Sequence, residues 1–199
     1  MSGASGAGKS TVIEGLRDRW PQVVVHEDDE LPAPPDQAGR HRILDHFLDE
    51  AVAYRKAGKV MLYGTNSPLG EVLAAPLAVE VGPIAACVLD CSDRVRVQRV
   101  RSRDDGASWF GQDQLNWAAF HRMHAADPQW CQSVITACEP DTRHWSRWTG
   151  WQAGDPRWRV GIVSTTELTV QEMVARMASW VQWHLRDPDS MPLQGQWWA

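Results

Sequence analysis

Nine residues near the start of the chain constrain it most: Gly3, Ala4, Ser5, Gly6, Ala7, Gly8, Lys9, Ser10 and Thr11. Glycines at positions 3, 6 and 8 let the backbone turn tightly and aim its N–H groups at phosphate oxygens. Lys9 can neutralise the β and γ phosphates, and Ser10 can offer a hydroxyl to magnesium. A helix starting there adds its positive end. The pattern predicts a phosphate-binding loop for ATP and Mg2+, and it is far more specific than a lone glycine run.

Such a loop should follow a buried strand, yet only Met1 and Ser2 precede Gly3. The expectation is that the usual start lies upstream or that another segment fills the central slot of the sheet. Exposed backbone groups on the neighbouring strands would otherwise result.

Elsewhere, apolar runs and helical periods alternate. The pattern predicts strands at Val23–Val25, Lys59–Tyr63, Ile84–Leu89 and Arg159–Val163. Helices are expected over Thr11–Trp20, Arg40–Arg55, Asp93–Arg101 and Gln114–Ala125, and from Thr169 to about Trp183. Another short helix should begin at Ser67, with Pro68 at its first position. Thr169 and Glu172 form a capping box, with Leu168 and Met173 placed as a hydrophobic staple. Trp130–Ala137 is expected to continue the helical cover, and Glu139–Pro156, where no period holds for long, reads as loop with local structure. The expected class is α/β, with a mostly parallel sheet covered by helices on both faces.

A chain of 199 residues suits one domain with a small lid. The expected organisation is a domain over 1–183, a lid within 102–128 and a tail over 184–199. Net charge of -5 gives no long-range pull towards nucleic acid. No apolar stretch is long enough to span a membrane and no secretory leader is recognisable, so a cytoplasmic location is expected. The four cysteines, Cys87, Cys91, Cys131 and Cys138, match neither zinc nor disulfide spacing and read as reduced structural thiols. His121 and His124 lack neighbouring ligands at metal spacing.

The carboxylates after the first strand, Asp28 and Asp29, fall where the strand opens into polar residues. A carboxylate there can accept a hydroxyl proton or hold a water of magnesium. Neighbouring side chains in extended backbone point opposite ways. Asp28 is therefore the preferred catalytic and metal residue and Asp29 a substrate residue, with Glu27 and Glu30 as substitutes. Arg40, Arg42 and Asn66 are candidate substrate contacts. Among the arginines at 94–103, Arg99 and Arg103 are the choices for stabilising the transferred phosphate, since both precede Asp104-Asp105-Gly106. Trp145, Trp148 and Trp151 recur every three residues, which suits packing over a sheet edge or a homodimer face, or stacking on a base.

With these residues in view, the chain over about 1–183 resembles the small P-loop kinases of the nucleoside-monophosphate, gluconate and shikimate kinase type. The likeness rests on Gly3–Thr11, and on Cys87-Val88-Leu89-Asp90-Cys91-Ser92 continuing through Arg99 and Arg103. Val163-Ser164-Thr165-Thr166 before the capped helix adds to it. The resemblance implies a P-loop NTPase-type three-layer sandwich with a small helical lid. It also implies that Ser164, Thr165 and Thr166 border adenine, that Arg99 and Arg103 border or enter the lid, and that Asp28 stands on the substrate side. The expected activity is transfer of the γ-phosphate of ATP to a hydroxyl or other acceptor on a small molecule. A regulatory NTPase, a polynucleotide 5′-hydroxyl kinase and a non-catalytic relative are the alternatives.

Overall fold

The structure, a computed structural model, describes residues 1–33, 36–103, 108–137 and 142–199. The chain is a mixed α/β protein. Among the described residues, its strands are β1 (Val23–Glu27), β2 (Val60–Gly64), β3 (Ala86–Asp90) and β4 (Val160–Ser164). Its α-helices are α1 (Lys9–Leu16), α2 (Gln37–Lys56), α3 (Leu69–Ala74), α4 (Asp93–Arg101), α5 (Gln112–Ala126), α6 (Ser133–Thr136) and α7 (Val170–Arg186).

The strands form two parallel pairs, β1 with β2 and β3 with β4. Ser2 makes parallel bridges to both Thr65, just past β2, and Val88 in β3. Two residues thus join the pairs at their carboxyl ends, which is where the short start of the chain goes. Parallel strands carry apolar side chains on both faces, and alternate residues of β2 enter different cores. Leu62 packs with Val12, Ile13 and Leu16 of α1 and with Met173 and Met177 of α7. Tyr63 packs with Phe47 of α2, Leu73 of α3 and Trp148.

Local signals explain several boundaries. Asp36 accepts from Gly39 N at 2.7 Å and so caps α2 three residues before the expected start. Ser92 caps α4, while Thr169 and Glu172 form the expected capping box on α7. Leu168 and Met173 join the same apolar cluster.

Three expectations need correction. The first helix ends at Leu16 instead of Trp20, because Arg17 leaves helical geometry and Asp18 adopts φ 59°. Pro68 is the N-cap of α3 with φ -68° and ψ 161°, so it precedes the helix. The third strand begins at Ala86, since Ile84 pairs antiparallel with Leu193 from the carboxyl-terminal segment. Leu193 and Trp197 are buried by that docking.

The tryptophan-rich stretch is interior. Trp148 is completely buried, and Trp151 and Trp158 nearly so. Trp148 and Trp158 lie 5.4 Å apart between ring centroids, and Trp158 donates its indole N–H to His124 O at 3.1 Å. These rings complete the core under α3 and α5 and do not form the stacking surface or homodimer face considered from their spacing. Cys87 and Cys91 are buried free thiols and Cys131 is an exposed one. Cys138 lies outside the described residues. No described helix is long and apolar enough to cross a membrane.

Candidate functional site

The glycine loop turns directly above the carboxyl end of β3. Gly3 has φ 148°, and a Cβ built there would lie 2.4 Å from Leu89 O, so no larger residue fits. Gly8 has φ 100° and opens α1 as its N-cap. Lys9, first in that helix, folds back so that Nζ donates to Gly3 O at 2.6 Å. Burial lowers the Lys9 pKa, while the carboxylates of Asp28, Asp29 and Glu27 act to raise it. Lys9 and Ser10 therefore face a concentration of negative charge at the end of β1.

Asp28 and Asp29 sit in a single 3-10 turn, Asp28–Glu30, and Glu27 at the end of β1 is its N-cap. Asp28 accepts from Tyr63 Oη, from Thr65 Oγ1 at 3.1 Å and from Asn66 N at 2.5 Å. Burial raises its pKa, and these three donors oppose the rise. Asp29 is next to the loop: Ser10 Oγ donates to its Oδ2 at 3.4 Å. Burial also raises the Glu27 pKa, against a hydrogen bond from Ser10. Ser10 therefore lies beside Asp29 and Glu27, while Asp28 is held by Tyr63, Thr65 and Asn66.

The loop is braced from below by α4. Arg96, completely buried, donates from Nη1 to Ser5 O at 2.7 Å and from Nη2 to Asp90 Oδ1 at 2.7 Å. Arg99 donates to Gly6 O at 3.3 Å, Thr165 Oγ1 at 2.9 Å and Thr165 O at 2.7 Å. Thr165 in turn donates to Ala7 O at 2.9 Å and is itself completely buried. The structure thus places Arg99 and Thr165 against the carbonyl side of the loop. Arg103 is exposed beyond the end of α4. The Asp104-Asp105-Gly106 turn lies outside the described residues.

The other wall is built by α2 and α5. Asn66 is held on three sides: its N–H by Asp28, its Oδ1 by Trp117 Nε1 at 3.3 Å, and its carbonyl by His121 Nε2 at 3.1 Å. Contact with a carbonyl makes Nε2 the protonated nitrogen of the neutral ring. Burial lowers the His121 pKa to about 3, so the ring is neutral at pH 7. Arg40 donates to both oxygens of Glu71, at 3.0 and 2.6 Å, and lies 4.8 Å over the Trp117 ring. Burial would raise the Glu71 pKa, but His41 and Arg40 outweigh it and hold the carboxyl at about 2. Arg42 points outwards and is exposed. Helix α5 packs closely against this wall: Phe120, His121 and His124 are buried, and Arg122 donates to Asp90 Oδ2 at 2.5 Å.

Of the sequence candidates, Lys9, Ser10, Asp28, Asp29 and Asn66 converge on one site, while Arg40 stands at its α2 wall. Tyr63, Glu71, Asp90, Trp117 and His121 contribute to the site and were missed as site residues. Tyr63 and Asp90 each lie at a strand's carboxyl end, a position that marks them in the sequence. Trp117 and His121 carry no such signal, because only the docking of α5 brings them to Asn66.

No family model matches the chain, and no curated protein matches it. Solved structures do. A sugar kinase from Janibacter sp. HTCC2649 shares 16% identity over 91% of each chain, with a TM-score of 0.52. At that identity the likeness is one of fold. An uncharacterised protein from Eubacterium ventriosum shares 12% identity over 91% of this chain and 95% of its own, with a TM-score of 0.45.

Proposed function

We propose that this protein is a small P-loop kinase, a three-layer α/β phosphotransferase that moves the γ-phosphate of ATP to a hydroxyl on a small molecule. The observation that carries the reading is the meeting of Lys9 and Ser10 with the Glu27–Asp29 carboxylates at the strand ends. An anion site and an acidic cation-and-proton site then lie side by side, as phosphoryl transfer requires. The fold it shares with a sugar kinase supports the same class.

The residues fit the two groups this chemistry needs. The loop N–H groups of Gly6–Ser10 and the Lys9 ammonium suit the ATP phosphates. Ser10 Oγ and the Asp29 carboxylate suit Mg2+, directly or through its waters, and the bound ion would neutralise charge developing on the transferred phosphate. Lys9 Nζ, which donates to Gly3 O, would be the cation that holds the phosphates. Asp28 has the different task of receiving a proton. A carboxylate offers about four hydrogen-bonding sites, of which Tyr63, Thr65 and Asn66 take three. The fourth is free for an acceptor hydroxyl, and burial makes this carboxylate a stronger base. Arg96, Arg99 and Thr165 hold the loop, and His121 and Trp117 hold Asn66.

The test is ATP consumption across hydroxylated metabolites, beginning with sugars and polyols. Lys9→Ala should abolish transfer while the protein remains folded by circular dichroism. Normal turnover by that variant would overturn the proposal.

A further inference from the structure

Negative charge is in excess where the ends of β1 and β2 face α2 and α5. Glu27, Asp28 and Asp29 stand at the end of β1. From Val60 to Glu80, through β2 and α3, the chain carries no lysine or arginine, and neither does α5 between Gln112 and His121. His121 is neutral at pH 7, since burial lowers its pKa to about 3. Lys9 is turned into the glycine loop, with Nζ on Gly3 O. Arg40 is the cation of the α2 wall, and its Nε and Nη2 both donate to Glu71, whose side chain is completely buried. Gln37 at 3.4 Å and His41 at 3.3 Å turn to the same carboxylate. Charges held out of water act on each other strongly, so Arg40 and Glu71 together present a neutral pair. A carboxylate or phosphate on an acceptor would meet three acidic side chains here, and an ion taken out of water without a partner is costly.

What the wall offers instead is hydrogen bonding. Trp117 Nε1 donates to the Asn66 side chain at 3.3 Å. An indole N–H can only donate, so it selects Oδ1 and leaves Nδ2, with its two donors, on the other branch of the amide. Among the described residues Nδ2 has no partner, and Asn66 is half-buried. The main-chain N–H of the same residue donates to Asp28 Oδ2 at 2.5 Å. A carboxylate that accepts and an amide that donates therefore belong to two directly bonded residues. Hydroxyls on neighbouring carbons match that pair, one donating to Asp28 and the other accepting from Asn66 Nδ2.

Resting on the kinase reading above, we infer that the acceptor is an uncharged polyol with hydroxyls on neighbouring carbons, one held by Asp28 and the next by Asn66 Nδ2. Asn66 selects for the second hydroxyl, because a site built to bond a hydroxyl is left with an unpaired donor when it is missing. Trp117 is a positioning residue that fixes which way the amide points. Glu71 excludes sugar acids and sugar phosphates by cancelling the charge of Arg40.

The experiment is calorimetric titration of the full chain with tetritols, pentitols, hexitols and the neutral aldoses, and with the aldonic acid of each carbon skeleton. Neutral members should bind, and each acid should bind about tenfold more weakly or worse. Asn66→Ala keeps the main-chain bonds to Asp28 and His121. It should weaken the best-bound polyol about tenfold and leave unchanged one mono-deoxy form of it, the one without the hydroxyl that Asn66 holds. A general loosening of the site would not spare that form. Glu71→Gln, checked for folding by circular dichroism, should shift relative affinity towards the acids; where it unfolds, the other two arms decide. The proposal would be overturned by an acid that binds as tightly as its polyol, by no binding of any neutral member, or by equal losses across all mono-deoxy forms. An unmoved ratio in folded Glu71→Gln would also overturn it. Polyol binding without transfer from ATP would remove the kinase reading and leave the acceptor class standing, while transfer to an aldonic acid alone would do the reverse.

Discussion

Arg96 donates to Asp90 Oδ1 at 2.7 Å from directly beneath the glycine loop, with none of its side chain exposed. The same guanidinium holds Ser5 O, and Asp90 holds Arg122 of α5 through its other oxygen. One buried ion pair therefore ties the loop, β3 and α5 together. Removing a single partner of a buried pair leaves an uncompensated charge.

Arg96→Met should accordingly destabilise the protein by about 3–5 kcal/mol, read from urea unfolding. Arg101→Ala, on the exposed side of the same helix, should change it by less than about 0.5 kcal/mol. Equal effects from the two would show that the brace contributes nothing.

The arginines illustrate how far the sequence could be read. Periodicity places Arg96 and Arg99 on one side of α4, and the helix is where the pattern put it. Whether a guanidinium rises over a loop or lies beneath it depends on how α4 docks, and no local signal encodes that. Strands β1 and β2 were legible because β-branched or apolar runs end in polar residues at the sheet's carboxyl edge. Helix α7 was legible through Thr169 and Glu172. Trp148 was not, because its stretch has only short 3-10 structure and its burial depends on α3 and α5. The glycine loop was fully legible, since its conformation is written in three glycines. The inner edge of β3 was read two residues early, because Ile84 is apolar in its own antiparallel bridge to Leu193.

Glu71 gives a prediction in acid. Its folded pKa of about 2 lies below the ordinary 4.5, so its contribution to stability is full above pH 4.5 and is lost as the pH falls towards 2. The contribution is about 3 kcal/mol. Glu71→Gln should therefore be less stable than the parent protein at pH 7, with the difference in urea midpoint narrowing below pH 4.5. A difference that stays constant through that range would show that Glu71 does not titrate as described.

His121 acts at higher pH. Its folded pKa is about 3, against 6.5 ordinarily, so the unfolded chain binds a proton that the folded ring refuses. Stability falls as the pH drops from 6.5 towards 3, by about 1.4 kcal/mol per unit for each such histidine. His124, at about 4, adds to the slope in the same direction. His121→Gln keeps a donor for Asn66 O and removes the titration, so it should flatten the dependence by roughly one proton's worth. Urea midpoints between pH 6.5 and 4 would check it, and an unchanged slope would remove His121 from the account.

The final prediction concerns the proton that Asp28 is proposed to receive. Burial raises the pKa of Asp28, and the Tyr63 hydroxyl is the largest of the three donors holding it back. Tyr63→Phe removes that donor while leaving the ring in its place against Phe47, 4.9 Å away. The Asp28 pKa should then rise further, and the acid limb of kcat/KM should move to higher pH because the base must be unprotonated to act. ATP affinity should change little, since Tyr63 does not touch the loop. A purely structural role for Tyr63 would lower activity at every pH and leave the limb where it was. A limb that stays fixed, or moves to lower pH, would take the proton-accepting role away from Asp28.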